Sequence, residues 1–139
     1  VPVIQINTAG GCPLAATSVQ SVLPYLPLEA LDVVIIENVG NLVCPAEFDT
    51  GAHRNVMILS VPEGDDKPLK YPLMFTVSDV LLVNKIDYLG LSDFDPDRLR
   101  QRVLRLNPRI QIFEISAKTG RGVDAWTDWL SSEVSGFVG

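Results

Sequence analysis

Long hydrophobic runs are absent from this chain. Apolar stretches such as Val80-Leu81-Leu82-Val83 fall far short of the roughly 20 residues that span a bilayer, and no basic-then-apolar signal segment opens it. A membrane partner is excluded on this reading, and a soluble, cytoplasmic protein is expected. Basic charge is scarce: Lys and Arg total 11 against 17 Asp and Glu, for a net charge of −6. Without a cluster of cations to offset phosphates, a nucleic-acid-binding surface is excluded as well. Cys12 and Cys44 are the only cysteines, too few for a disulfide framework. A thiol role and plain burial both stay open. Histidine occurs once, as His53 between Ala52 and Arg54, where a loop residue is expected.

What is present suffices for one core. With 139 residues, 47% of them hydrophobic, the chain is one domain or part of one. Five apolar or β-branched runs recur, Val3 to Ile6, Leu31 to Ile36, Val56 to Val61, Val80 to Val83 and Ile110 to Ile115. Continuous rather than alternating apolarity predicts strands covered on both faces, hence a mostly parallel sheet with flanking helices, an α/β fold. Asp95-Pro96 reads as an N-cap with proline at the first helical position, followed by Leu99, Val103 and Leu106 at helical spacing and a stop at Asn107-Pro108. Val123, Trp126, Trp129 and Leu130 form the apolar stripe of a closing helix. A further helix is expected over Ser18 to Tyr25, stopped by Pro24 and Pro27.

In parallel sheets ligands gather beyond the carboxyl ends of the strands, so the residues following each run carry the chemistry. Asn84-Lys85-Ile86-Asp87 follows the fourth run and fits the NKxD pattern of guanine-nucleotide binders. The Asp87 carboxylate would accept from guanine N1–H and the 2-amino group, a donor pair that adenine lacks. Lys85 would lay its aliphatic stem on the base, and Asn84 would tie neighbouring loops. Ser116-Ala117-Lys118-Thr119-Gly120 follows the fifth run and fits the SAK loop of G-domains, in which the Ala117 N–H would donate to guanine O6. Upstream, Glu37-Asn38-Val39-Gly40 is an ExxG variant of a switch motif. Glu37 would hold Mg²⁺ and the Gly40 N–H would approach a γ-phosphate; an acidic, glycine-containing loop is the bland alternative.

These segments also carry a family resemblance. Glu37 to Ala46, with Cys44 inside it, then Phe48-Asp49, Glu63 to Pro72, and Asp124 to Leu130 resemble the HypB family of nickel-inserting GTPases along essentially the whole chain. The resemblance implies a P-loop GTPase fold of the SIMIBI type and GTP hydrolysis coupled to nickel delivery in [NiFe]-hydrogenase maturation, sometimes for urease as well. It further implies a nucleotide-responsive homodimer that works with other hydrogenase maturation proteins and the hydrogenase large subunit. GTP/GDP, Mg²⁺ and Ni²⁺ or Zn²⁺ are the implied cofactors, with Cys12 and Cys44 as metal ligands.

Two departures qualify the resemblance. No segment fits GxxxxGK[ST], the loop that cradles phosphates. The expectation is therefore a single partial G-domain over residues 1–139, truncated at its N-terminus and impaired in catalysis. Gly11-Cys12-Pro13-Leu14 places proline where the family has histidine, so one imidazole is lost. Two thiolates per chain would still give four across a symmetric dimer. The competing readings are a non-catalytic metal-binding or dimerisation module with a degenerate G-domain fold, and a urease-type accessory GTPase. Asp65, Asp66 and Lys67 are expected in a charged surface loop, and Arg98, Arg100, Arg102 and Arg105 mostly in solvent.

Overall fold

A computed structural model describes residues 1–7 and 14–138. Cys12 and Pro13 lie outside the described residues. The chain divides into two compact units, Val1–His53 and Arg54–Gly139.

The first unit has little regular structure. Helix α1 (Ala16–Val22) runs into a 3-10 turn at Leu23–Tyr25, where Pro24 cannot supply the N–H that a continuing helix needs. A second 3-10 turn spans Leu28–Ala30, and the short α2 (Cys44–Glu47) follows. The runs at Val3 to Ile6 and Leu31 to Ile36, expected as strands, are not strands. Ile35 is 83% exposed and Val3 85%. Apolar, β-branched composition makes a segment competent for a sheet, but a strand exists only where a neighbour takes up its N–H and C=O groups. Neither run pairs with a strand among the described residues.

The second unit holds the sheet. Strand β1 (Val56–Ser60) leads through a 3-10 turn at Val61–Glu63, then α3 (Lys67–Lys70) and α4 (Pro72–Val77), to β2 (Val80–Asn84). A 3-10 segment, Ile86–Leu91, and α5 (Pro96–Leu106) lead to β3 (Gln111–Glu114), and α6 (Val123–Val138) closes the unit. The order is β1-β2-β3, all parallel. Val80 to Val83 are buried without alternation, as a central parallel strand requires. Val80 and Leu82 meet Ile115, with Phe113, Val123, Trp126 and Trp129 packed around them. The two indoles stack at 5.3 Å. Leu81 and Val83 turn the other way and are also buried, as are Phe75, Leu99 and Val103. On β1 the face shared with Val80 and Leu82 is bare: Val56 is 41% and Ile58 58% exposed.

Polar contacts fix the connections. Asp95 caps α5 by accepting from the Arg98 N–H at 3.0 Å, as its position before proline predicts. Asn107, which ends that helix, donates from its amide to the carbonyls of Phe75, Thr76 and Ser78. Arg98 and Arg102, one turn apart, converge on Asp65, with guanidinium–carboxylate distances of 2.8 and 2.6 Å; Arg98 remains half-exposed, as expected, whereas Arg102 is largely covered. Asp65 is only 8% exposed and also accepts from the Asp95 N–H. Burial opposes its charge, but the Arg98 hydrogen bond, the Asp95 N–H and the two guanidinium charges together hold its carboxyl below the usual range.

Replacing Asp65 with alanine strands two guanidinium groups and a backbone N–H, and should cost about 2–3 kcal/mol in urea unfolding. Because the folded-state pKa is depressed, the carboxylate's contribution is complete at neutral pH. It is lost as pH falls from about 4, the unfolded value, through the lower folded one. The stability gap between the unchanged chain and Asp65→Asn should therefore shrink below about pH 4; a gap independent of pH would refute the charge pairing.

Candidate guanine-recognition site

Parallel register brings two loops to one level. Val83 pairs with Glu114, so Asn84 and Ile115 leave the sheet side by side. The Ile115 N–H still donates to the Val83 carbonyl at 2.8 Å, and the Ile86 N–H reaches the Ile115 carbonyl at 3.2 Å. The strand exits are therefore hydrogen-bonded one residue beyond the sheet.

Side chains then knit the loops together. Asn84 Oδ1 accepts from the Lys85 N–H at 2.7 Å and from the Ala117 N–H at 3.1 Å. Ser116 is fully buried. Its Oγ accepts from the Thr119 N–H at 3.2 Å and donates to Asp87 Oδ1 at 2.6 Å. The Ser116 N–H donates to the Arg121 carbonyl and its carbonyl accepts from the Gly120 N–H. This fold-back needs Gly122, at φ +74, because a Cβ there would overlap the Glu114 carbonyl oxygen. No sequence signal had marked Gly122.

Six of the sequence-predicted residues thus come together: Asn84, Lys85, Asp87, Ser116, Ala117 and Lys118. Asp87 is exposed, and its pKa is lowered, first by the Ser116 hydrogen bond and also by its own backbone and by the Lys118 and Lys85 charges, against a smaller desolvation effect. The carboxylate is thereby kept ionised and oriented through Oδ1. The Ala117 N–H, expected to serve guanine O6, is already bonded to Asn84. Among the described residues, the Lys118 N–H of this loop has no protein acceptor.

The remaining candidates lie in the first unit. Glu37 and Gly40 are exposed in an irregular segment, and the space that a Cβ on Gly40 would take is empty. Cys44 opens α2, half-buried, its N–H donating to Asn41 Oδ1 at 2.9 Å. Cys12 lies outside the described residues. Among those described, no three His, Cys, Asp or Glu residues gather as metal ligands. No helix among them is long and apolar enough to cross a membrane.

Residues 1–114 match the model of the CobW/HypB/UreG nucleotide-binding domain. The chain belongs to the CobW/HypB/UreG family. Within it the similarity is to HypB proteins. Hydrogenase maturation factor HypB of Escherichia coli is 47% identical over 132 residues, 95% of this chain and 46% of that protein. The hydrogenase/urease maturation factor HypB of Helicobacter pylori is 38% identical over 130 residues, 91% of this chain and 54% of that protein. The chain thus spans about half the length of these curated relatives. Among solved structures, Helicobacter pylori HypB in complex with nickel superposes with a TM-score of 0.88 at 36% identity, covering 95% of this chain and 63% of that one. HypB from Archaeoglobus fulgidus gives 0.84 at 36% identity, covering 91% and 67%. Parallel strands flanked by helices are the P-loop GTPase type of α/β fold that these HypB neighbours share.

In a CobW/HypB/UreG domain of this geometry, Ser116 sets the Asp87 carboxylate. Ser116→Ala should raise the Asp87 pKa toward the ordinary carboxylate value. Carboxyl-carbon NMR titration reads this directly, and an unchanged Asp87 curve would remove Ser116 from that role.

Proposed function

We propose that this chain carries the guanine-recognising part of a GTPase that handles nickel in hydrogenase maturation. The observation that carries the first half of this reading is the exposed Asp87 carboxylate, anchored through Oδ1 by buried Ser116. A carboxylate so fixed accepts from guanine N1–H and the 2-amino group, whereas adenine presents no matching donors. The Lys118 N–H donates to guanine O6. Lys85 lays its stem along the base, and Asn84 locks the Ala117 backbone so that the pocket stays formed.

Phosphate and metal roles fall to the first unit. Glu37 is the Mg²⁺ carboxylate in this reading, and the Gly40 N–H contacts the γ-phosphate. A single carboxylate fits Mg²⁺, which is commonly held by one or two carboxylates together with waters and substrate phosphates. One described thiolate does not make a nickel site. Cys44 joined by Cys12 and their copies in a homodimer would supply four sulfurs. Residues 1–139 are on this account part of a single G-domain, and the hydrogenase maturation machinery with its large subunit is the client. The names of the HypB relatives and the nickel-bound HypB neighbour support this half.

Base selection is tested by NMR titration with GDP and ADP. GDP should shift the Asp87 and Lys118 resonances, and ADP should not; equal responses would defeat the guanine reading. Asp87→Asn should exchange the preferred base. An amide donates to the xanthine 2-oxo group while still accepting from N1–H, so guanine should weaken by about tenfold or more while xanthine strengthens. For the metal, one Ni²⁺ per two chains is expected, and the Cys44→Ala variant should not bind it. A stoichiometry that survives this substitution would take the thiolates out of the account.

A further inference from the structure

Among the described residues, Gly51, Gly64, Gly120 and Gly122 have positive φ, where an L side chain is disfavoured. They differ in what a side chain would meet. A Cβ on Gly51 would touch Ala16 Cβ at 3.6 Å, one on Gly64 the end of the Asp66 side chain at 3.0 Å, and one on Gly120 nothing. On Gly122 it would overlap the Glu114 carbonyl oxygen and press on Glu114 C at 3.2 Å and Ile115 Cα at 3.4 Å. Yet Gly122 is exposed, and exposure alone would mark a position that tolerates substitution.

Neither side of this contact gives way without a loss. The Glu114 carbonyl shares a planar peptide with the Ile115 N–H, which donates to the Val83 carbonyl at 2.8 Å, just beyond the last paired residues of the sheet. Rotating the carbonyl away breaks that bond. On the other side, the Arg121 carbonyl, in the peptide that leads into Gly122, accepts from the Ser116 N–H at 2.9 Å. Val123 follows, its N–H donating to the Gly120 carbonyl at 3.2 Å and its side chain packed on the sheet core. The displacement that a side chain on Gly122 demands therefore falls on Ser116, whose Oγ holds Asp87 Oδ1 at 2.6 Å.

We propose that Gly122 is a positioning residue of the base site: having no side chain, it lets the returning loop cross the end of β3 at backbone contact and so keeps Ser116 within reach of the Asp87 carboxylate. This role rests on the guanine reading above and goes beyond it, because Gly122 touches no nucleotide in that reading and acts through Ser116. A glycine that served only the stability of the loop would, on replacement, lower the Tm and leave the GDP affinity and the Asp87 titration of the folded protein as they were. A positioning residue moves all three.

Three variants of the full chain separate these cases by thermal unfolding, by NMR titration with GDP and by carboxyl-carbon titration with acid. Gly122→Ala and Gly122→Asn carry the same Cβ. Asparagine tolerates left-handed backbone, so Gly122→Asn isolates the collision and is the variant to read if Gly122→Ala does not fold. Both should weaken GDP about tenfold and raise the Asp87 pKa toward the ordinary carboxylate value, since the Ser116 hydrogen bond is the largest influence lowering it. Gly64→Ala places an L side chain at positive φ outside the two loops, and should lower the Tm by about 2–5 °C with GDP affinity unchanged. GDP binding by Gly122→Asn as tight as in the unchanged chain, an Asp87 curve that stays put in that variant, or an equal loss of GDP affinity in Gly64→Ala overturns the proposal. Equal binding of GDP and ADP by the unchanged chain, or binding of neither, overturns the guanine reading instead; the Asp87 curve of Gly122→Asn then still decides whether Gly122 sets the carboxylate.

Discussion

Parallel pairing of β2 with β3 is the constraint on which the candidate site depends. Two strands running the same way must end on the same side, and the register between Val83 and Glu114 makes them end at the same height. Everything polar at that edge follows. Asn84 faces the backbone of the second loop because both loops leave the sheet together, and Ser116 meets Asp87 for the same reason. A slip of one residue would turn Val80 and Leu82 away from α6 and separate the two motifs at once. The apolar packing that fixes the register, Val80, Leu82 and Ile115 against the Phe113 and indole cluster, is therefore also what places the carboxylate.

Buried polar anchors hold the connections where the sheet does not reach. Asp65 ties the segment beyond β1 to α5 through two arginines and the Asp95 amide, and Asn107 ties the far end of the same helix to three carbonyls around the end of α4. Helix α5 is thus fastened at both termini by side chains, with Leu99 and Val103 buried between. Since α5 is the crossover from β2 to β3, its fixed ends reinforce the pairing of the two strands it connects. Both anchors are fully partnered, which is the condition under which buried polar groups specify a structure without destabilising it.

Much of this was legible from local pattern. The cap at Asp95, the helix stop at Asn107, the stripe of α6 and both guanine-type motifs are encoded within a few residues of where they act, and each appears in place. Features set by distant partners were not legible. Arg98 and Arg102 look like solvated surface until Asp65, 33 and 37 residues away in sequence, is brought beneath them. Gly122 looks like one of several loop glycines until the Glu114 carbonyl occupies the place of its missing Cβ. The same limit explains the two apolar runs of the first unit. Val33 to Ile36 is as sheet-competent in composition as Val80 to Val83, yet only the second has strands on both sides.

The stacked indoles have a consequence for what light reports about this protein. Both tryptophans of the chain lie in α6, 5.3 Å apart and against Phe113. Intrinsic indole emission is therefore a local signal, sensitive to whether α6 lies on the sheet, while residues 1–53 contain no indole at all. A single fluorescence transition describes the unit that holds the base-reading loops. The segment bearing Glu37, Gly40 and Cys44 is spectrally silent in that channel, and its melting has to be followed by another probe.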